Sequence, residues 1–311
     1  GNLSIGGTGK TPHTQYIYSL LINNLKSNQK MALLSRGYKR KTKGFLLADS
    51  DSTINDIGDE PLQFKNRYPS AYVAVHENRV KGIENIIEKS EGVNVILLDD
   101  AYQHRRLSPG LSILLTRKDK LYTSDYPLPL GTLRESSKES KRADIIIVTG
   151  GEATISPIEK RIIKEKLNPM PMQDVYFSHI SYKSIKPLHS GQFKHSLNKK
   201  TSVILVTGIA HTEHLFYHVK LQCKNMEHIA FSDHHVFSAS DIKKIKTKYE
   251  NMYGNNKIIL TTEKDSVRLK NHKISDSLLN LPLYYIPIEI GFDKQDQENL
   301  NQQIINYVRS N

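Results

Sequence analysis

The chain contains a single cysteine, Cys223, so no disulfide can close within it and a reducing compartment is compatible. It also lacks any apolar run near the ~18 residues of a membrane span. The longest apolar stretches, VNVILL at 93–98 and IIIVTG at 145–150, are strand-sized. None of the usual DNA- or RNA-binding motifs occurs. No initiator methionine, signal peptide or usable strand precedes the first glycines. The expectation is that residues before Gly1, and any targeting information in them, lie outside this sequence. Acidic residues are scarce beside basic ones, 32 against 44, for a net charge of +12. Nucleic acid, a phosphorylated substrate and an anionic membrane are the partners such a charge admits; solubility alone is the plain alternative.

What is present is an α/β chain. With 38% hydrophobic and 24% charged residues it is globular in composition, and 311 residues suffice for one large or two smaller domains. Short apolar runs alternate with helical stretches, the pattern of a parallel sheet covered by helices. TPHTQYIYSLLINNLKSNQ at 11–29 places Tyr16, Ile17, Leu20, Leu21 and Leu25 at helical spacing, with Pro12 suited to the first turn. KMALLSRG, VNVILLDD, LSILLT and ADIIIVT read as strands, VNVILLDD as a buried one, and NRVKGIENIIEKSEG as a helix. The predicted organisation is a doubly wound core over 1–150, then a connecting segment over 151–194 in which DVYFSHISYKSI forms a hairpin or exposed strand. A smaller α/β subdomain follows over 195–311.

Four stretches carry chemistry. SIGGTGKTP at 4–12 is a turn of backbone N–H groups closed by a helix N-terminus, the arrangement that cradles polyphosphate. Gly6, Gly7 and Gly9 let the chain approach phosphate, with Ser4 and Thr8 in the same loop. Lys10 would reach the β/γ-oxygens and Thr11 would hold Mg²⁺. Ser4 stands where such loops usually begin with glycine. VILLDD at 95–100 ends an apolar strand in Asp99 and Asp100, as a second metal-binding element does. IGDEPLQ at 57–63 reads locally as a solvated turn; its alternative is a general base. LLTRKD at 114–119 resembles a guanine-reading loop, but Arg117 stands where that loop has lysine. The histidines of FSDHHVFS and HTEHLFYH, even with Cys223 and His228, match no zinc spacing.

In order along the chain, GNLSIGGTGKTP, LSRGYKRKTKG, GDEP, LLDDAYQHRRL, PLGTLRE, TGIAHTEHLF, FSDHHVFSASD and TTEKDSVRL together resemble the tetraacyldisaccharide 4′-kinase family, the lipid A 4′-kinases of Gram-negative bacteria. They span nearly the whole chain. The resemblance implies a P-loop NTPase-type doubly wound, mostly parallel sheet, with the C-terminal subdomain closing over the site. It implies ATP and Mg²⁺ as cofactors and an acylated glucosamine disaccharide 1-phosphate as acceptor at its 4′-hydroxyl. It places the enzyme peripherally on the cytoplasmic face of the inner membrane, without a nucleic acid partner, and puts a membrane-associating helix before Gly1. Asp99 or Asp100 would enter the metal shell, assisted by Glu135, and Asp59 would be the base with Glu60 close by. His234, chosen over His235 by motif position, would orient that base. DDAYQ replaces the family's D-D-G-F-Q, keeping a small residue and an aromatic. Arg36, Lys39, Arg40 and Lys41 are candidates for steering to an anionic bilayer. The competing classes are a P-loop kinase for a soluble sugar or nucleoside, and a nucleotide-dependent switch or GTPase.

Overall fold

Strands buried on both faces read as continuous apolar runs, and this chain has several. The computed structural model describes residues 1–25, 29–151, 154–189, 195–270, 278 and 281–310. They fall into two compact units, Gly1–Ser181 with Glu289–Asn311, and Tyr182–Ile288.

In the first unit, helix α1 (Lys10–Ile22) leads to β1 (Lys30–Ser35), β2 (Leu46–Leu47), α2 (Ile54–Ile57), α3 (Asp59–Arg67), β3 (Tyr72–Val75), α4 (Arg79–Lys89) and β4 (Val93–Leu98). The strands form a sheet in the order β2-β3-β1-β4, parallel except for β2. Then come β5 (Ile113–Arg117), β6 (Ile145–Gly151), α5 (Pro157–Leu167) and β7 (Asp174–Tyr182). With the later β13 (Ile288–Phe292) they make a second sheet in the order β13-β7-β6-β5. Helix α9 (Lys294–Ser310) also belongs to this unit, burying Leu300 and Ile304. The Tyr16 hydroxyl donates to Asn301 at 2.7 Å, and Lys160 reaches Asp296 at 2.9 Å.

The second unit contains β8 (Lys186–Pro187), β9 (Ser202–Thr207), α6 (Glu213–Gln222), β10 (Asn225–Ala230), α7 (Ala239–Asn251), β11 (Lys257–Thr262), α8 (Glu263–Lys270) and β12 (Leu283–Ile286). Its sheet runs β10-β9-β11-β12-β8, parallel except for β8. Alternation along the strands splits its core in two. Ile204, Val206 and Ile259 pack with Ile242 and Ile245 of α7, whereas Val203, Leu205, Ile258 and Leu260 pack with Leu215 and Val219 of α6.

The units divide elsewhere than at 150 and 195. The 174–182 run is no hairpin: β7 pairs in parallel with β6 and buries four successive residues, Val175 to Ser178. Its alternation is lost because both faces of that stretch are covered. β13 and α9 return to the first unit, so 195–311 is not one subdomain. β4 is only half-buried because it ends its four-stranded sheet. Residues 26–28 of the expected first helix, and 152–153 and 190–194 of the expected connecting segment, lie outside the described residues.

Candidate active site

The phosphate-type loop is held from below. Leu3 is buried among Leu114, Leu133 and Ile146, and Asn2 runs parallel to Leu115 of β5. From the other side, the PLGTLRE segment pairs against the loop: Ile5 N donates to Thr132 O at 2.7 Å, and Arg134 N donates to Leu3 O at 2.7 Å. Gly9 has φ +80 and caps α1, a conformation that L side chains rarely adopt. Behind it the buried His13 ring bonds the Gly9 carbonyl at 2.7 Å and the Ser178 hydroxyl at 2.9 Å. Nδ1 therefore carries the proton, because a carbonyl only accepts, and Nε2 accepts from Ser178. Burial pushes His13 down to about 4.

Lys10 emerges from the first turn with its ammonium 3.7 Å from Asp100 and 3.3 Å from the Asn2 side-chain oxygen. Asp99 and Asp100 follow β4, the latter at φ 46. Asp99 is 5% exposed. Burial, with the charges of Glu60 and Asp100, pushes its carboxyl up to about 6. Burial also works to raise Asp100, but Lys10 and Arg134 outweigh it and the carboxyl falls below its ordinary value. Arg134 lies 3.0 Å from Asp100 and 3.1 Å from the Asn2 carbonyl. Two adjacent carboxylates are thus driven apart: one ionises easily, the other reluctantly.

Thr14, one turn beyond Thr11, donates to Asp99 at 3.3 Å, while Thr11 sits half-buried in the same helix turn as Lys10. Arg79 is fully buried and donates to the main-chain oxygens of both Asp99 and Asp100 at 3.2 Å. Glu135 is held by Gln103 at 2.8 Å, Arg142 at 2.9 Å and Arg105 at 3.3 Å. Its expected place near a metal therefore competes with two guanidinium groups.

GDEP is not a solvated turn. Asp59 opens α3 and is 5% exposed. Gly58 before it has φ +90, and a Cβ there would lie 2.9 Å from the Tyr38 carbonyl. The LSRGYKRKTKG loop thus backs directly onto the residue preceding Asp59, with Lys41 N donating to Asn55 O at 2.7 Å. The same loop corrects one expectation: the Arg40 side chain is 3% exposed and bonded to Glu77, so it is not a surface charge, whereas Arg36, Lys39 and Lys41 are exposed. Arg40 turns inward because Glu77 and the Gly44 carbonyl take its guanidinium.

Among the described residues no three His, Cys, Asp or Glu side chains form a metal cluster. Mg²⁺ takes one or two carboxylates and shares its shell with phosphate oxygens. The buried Thr8 hydroxyl, Gln103 Oε1 and Arg134 Nε have no hydrogen-bond partner, and all three flank the loop. Unpaired buried polar atoms are costly, so these three beside the loop fit a site completed by a polar ligand, although others, such as those of Ser90 and His189, lie away from it. Thr11, Asp99 and Asp100 are the residues that would hold the metal.

His234 belongs to the second unit. It has φ 57, its ring nitrogens lie 3.2 Å from Arg268 and 3.2 Å from Lys264, and its main-chain N–H donates to Gly208 O. Arg268 is fixed in turn by the fully buried Asp265 at 2.8 Å. His235 is otherwise engaged: Nε2 meets Asp241 at 2.9 Å and the ring stacks on Phe231 at 4.5 Å. Arg117 pairs with Asp119, occupying the carboxylate a guanine-reading loop would need. The residues that local sequence reading missed are Asn2, Thr14, Arg79, Gln103 and Arg134. Asn2, Gln103 and Arg134 carried a signal, through GNLSIGGTGKTP, LLDDAYQHRRL and PLGTLRE, whereas Thr14 and Arg79 lie outside those motifs.

Comparison with known proteins identifies the family. The family described as Tetraacyldisaccharide-1-P 4'-kinase, LpxK, matches residues 1–309. The tetraacyldisaccharide 4'-kinase of Bacteroides thetaiotaomicron is 43% identical over 322 residues, covering 100% of this chain and 84% of that protein. The Flavobacterium johnsoniae enzyme is 41% identical over 311 residues, covering 100% and 86%. Among solved structures, LpxK from Aquifex aeolicus in complex with ATP superposes with a TM-score of 0.70 at 26% identity, covering 99% of this chain and 86% of that one. Matched over nearly its whole length in sequence and over its fold in space, the chain belongs to the tetraacyldisaccharide-1-P 4'-kinase family.

Proposed function

We propose that in this chain the Ser4–Thr11 loop, Asp99 and Asp100 bind Mg²⁺·ATP while Asp59 takes the proton of the acceptor hydroxyl. As a member of the family, the chain is an ATP-dependent kinase of lipid A biosynthesis. The proposal concerns which residues do what. Its main support is the Lys10–Asp100–Asp99 cluster, where one basic and two acidic side chains meet orphaned polar atoms at the mouth of a glycine loop.

Phosphoryl transfer needs little covalent chemistry from the protein; positioning and charge neutralisation supply most of the rate. The main-chain N–H groups of Gly6, Gly7, Thr8 and Gly9 and the Lys10 ammonium would receive the phosphate charge. Thr11, Asp99 and Asp100 would hold Mg²⁺, which when bound neutralises charge on the transferring group. Asp59 would accept the 4′-hydroxyl proton as the oxygen bonds to phosphorus and the bond to ADP breaks. Of the two adjacent histidines, His234 is the candidate for the role the resemblance implies, since its ring is held by Arg268 whereas His235 is committed to Asp241. Glu135 would act at one remove, ordering Gln103, Arg105 and Arg142 beside the loop.

The acceptor would be the tetraacylated disaccharide 1-phosphate, met at the cytoplasmic face of the inner membrane by a peripherally bound enzyme. Among the described residues no helix is long and apolar enough to cross a membrane. The test uses [γ-³²P]ATP, Mg²⁺ and detergent-dispersed tetraacyldisaccharide 1-phosphate, with a soluble glucosamine disaccharide in parallel. Label on the lipid alone is expected. Label on the soluble sugar alone would favour a different acceptor, and ATP hydrolysis without transfer would favour a switch.

A further inference from the structure

Five consecutive residues, Tyr126-Pro127-Leu128-Pro129-Leu130, are all exposed. Leu130 is 87% exposed, Tyr126 68% and Leu128 53%, and Ile5 on the adjoining phosphate loop is 55% exposed. Single exposed leucines are ordinary, but a contiguous apolar run held in water marks an interaction surface.

The run is not a slack segment that could fold its side chains away. Leu130 N and Gly131 N both donate to Pro127 O, at 3.1 and 3.2 Å, and Leu133 N donates to Tyr126 O at 3.0 Å. The Asp125 carboxylate accepts from Tyr126 N at 2.8 Å and Thr132 N at 3.1 Å, and Lys120 approaches it at 3.4 Å. Any Cβ on Gly131 would overlap the Tyr126 carbonyl oxygen, so the turn is drawn tight. Its far end is bonded to the phosphate loop through Ile5 and Thr132.

We infer that this finger inserts into the headgroup–acyl boundary of an anionic bilayer and so brings the phosphate loop to the surface in which an acylated acceptor lies. The inference rests on the peripheral membrane reading above and assigns it a contact. Charge complementarity selects the occupant. Residues 117–142 hold seven Lys or Arg against four Asp or Glu, and Lys120, Lys138 and Lys141 are exposed. Apolar side chains beside Lys120, in a segment with an excess of basic residues, match a negatively charged lipid surface, with the tyrosine at headgroup level. A second protein copy presenting the same basic surroundings would meet repulsion around the contact.

The chain contains no tryptophan, so Leu130→Trp provides a single reporter at the tip. The variant is mixed with phosphatidylglycerol-rich vesicles, with phosphatidylcholine vesicles and with vesicles carrying brominated acyl chains, and co-sedimentation is read in parallel. The expected result is a blue shift and bromine quenching on the anionic vesicles, weaker on the neutral ones. Adding Tyr126→Ser and Leu128→Ser should weaken partitioning at least about tenfold, since each buried apolar side chain contributes that order of effect. Co-sedimentation with unchanged emission would overturn the finger while leaving the peripheral reading intact. No co-sedimentation with any vesicle would remove both. A blue shift that grows with protein concentration in the absence of lipid would assign the surface to self-association and overturn the lipid contact.

Discussion

The two units both gather polar side chains where parallel strands end, yet they leave them in opposite states. In the second unit, Asp265 is completely buried and fully answered: Arg268, Thr262 and the Gly208 N–H bind it at 2.7–2.8 Å. In the first unit Asp99 is buried with one hydroxyl at 3.3 Å, is pushed up to about 6, and stands near unpaired polar atoms of Thr8, Gln103 and Arg134. Burial alone therefore does not mark a working site. A fully bonded, charge-paired buried acid holds a unit together, whereas one with a single long hydrogen bond and a raised pKa is poised for something to bind.

The largest test of that contrast is Lys10→Ala. It should lower kcat/KM for lipid phosphorylation by roughly 10³-fold or more, since the side chain would meet charge developing in transfer. Retained turnover would break the assignment of the loop. Asp59→Ala should cost ~10²–10⁴ in kcat with KM little changed, the range for a general base. Near-normal kcat would remove Asp59 from the proton transfer.

Asp265→Asn probes the other side. Leaving Arg268 buried without its charge partner should destabilise the second unit by about 3–5 kcal/mol. Hydrogen exchange should rise in β9, β11 and α8 while β1 and β6 stay protected. Uniform exchange, or none, would contradict a local structural role.

The smallest effects are two pH slopes of opposite sign. Asp99 keeps its proton in the folded chain up to about pH 6, against an ordinary value of 3.8. Its contribution to stability is complete below about pH 4 and is lost as pH rises through 6. Without ligand, Asp99→Asn should therefore be more stable than the parent at pH 7, on the order of 1–2 kcal/mol, and the gain should vanish near pH 4. His13 is depressed from 6.5 to about 4, so its contribution is present above 6.5 and is lost as pH falls toward 4. His13→Gln should lose stability at pH 7 but show a flatter acid slope. Urea midpoints across pH 4–7 measure both, and parallel slopes in all three proteins would contradict the pair of assignments.

Much of this was legible in the sequence where the signal was local. The glycine loop, Lys10, Thr11 and the paired aspartates after an apolar strand depend on near neighbours in the chain, and the structure gathers the loop, Lys10 and the aspartates into one cluster. Asp59 was ambiguous because its burial depends on Gly58 packing against a loop some twenty residues earlier. Arg40 looked like one of a run of surface cations, and nothing nearby in sequence disclosed Glu77 as its partner. β7 and α9 were misplaced because strand partners and helix docking are long-range facts: β6 claims the one, and Tyr16 and Lys160 help tether the other. Asn2 and Arg79 act through main-chain and side-chain contacts that no spacing announces.

The most direct measurement is proton release on Mg²⁺·ATP binding, by calorimetry in buffers of different ionisation enthalpy between pH 5 and 6.5, for the parent chain and Asp99→Asn. If the Asp99 carboxyl ionises when the ligand binds, the parent should release up to about one proton more than the variant, most near pH 5, where Asp99 is still protonated before binding. Equal release by both proteins would show that Asp99 does not ionise into the site, and would contradict the account.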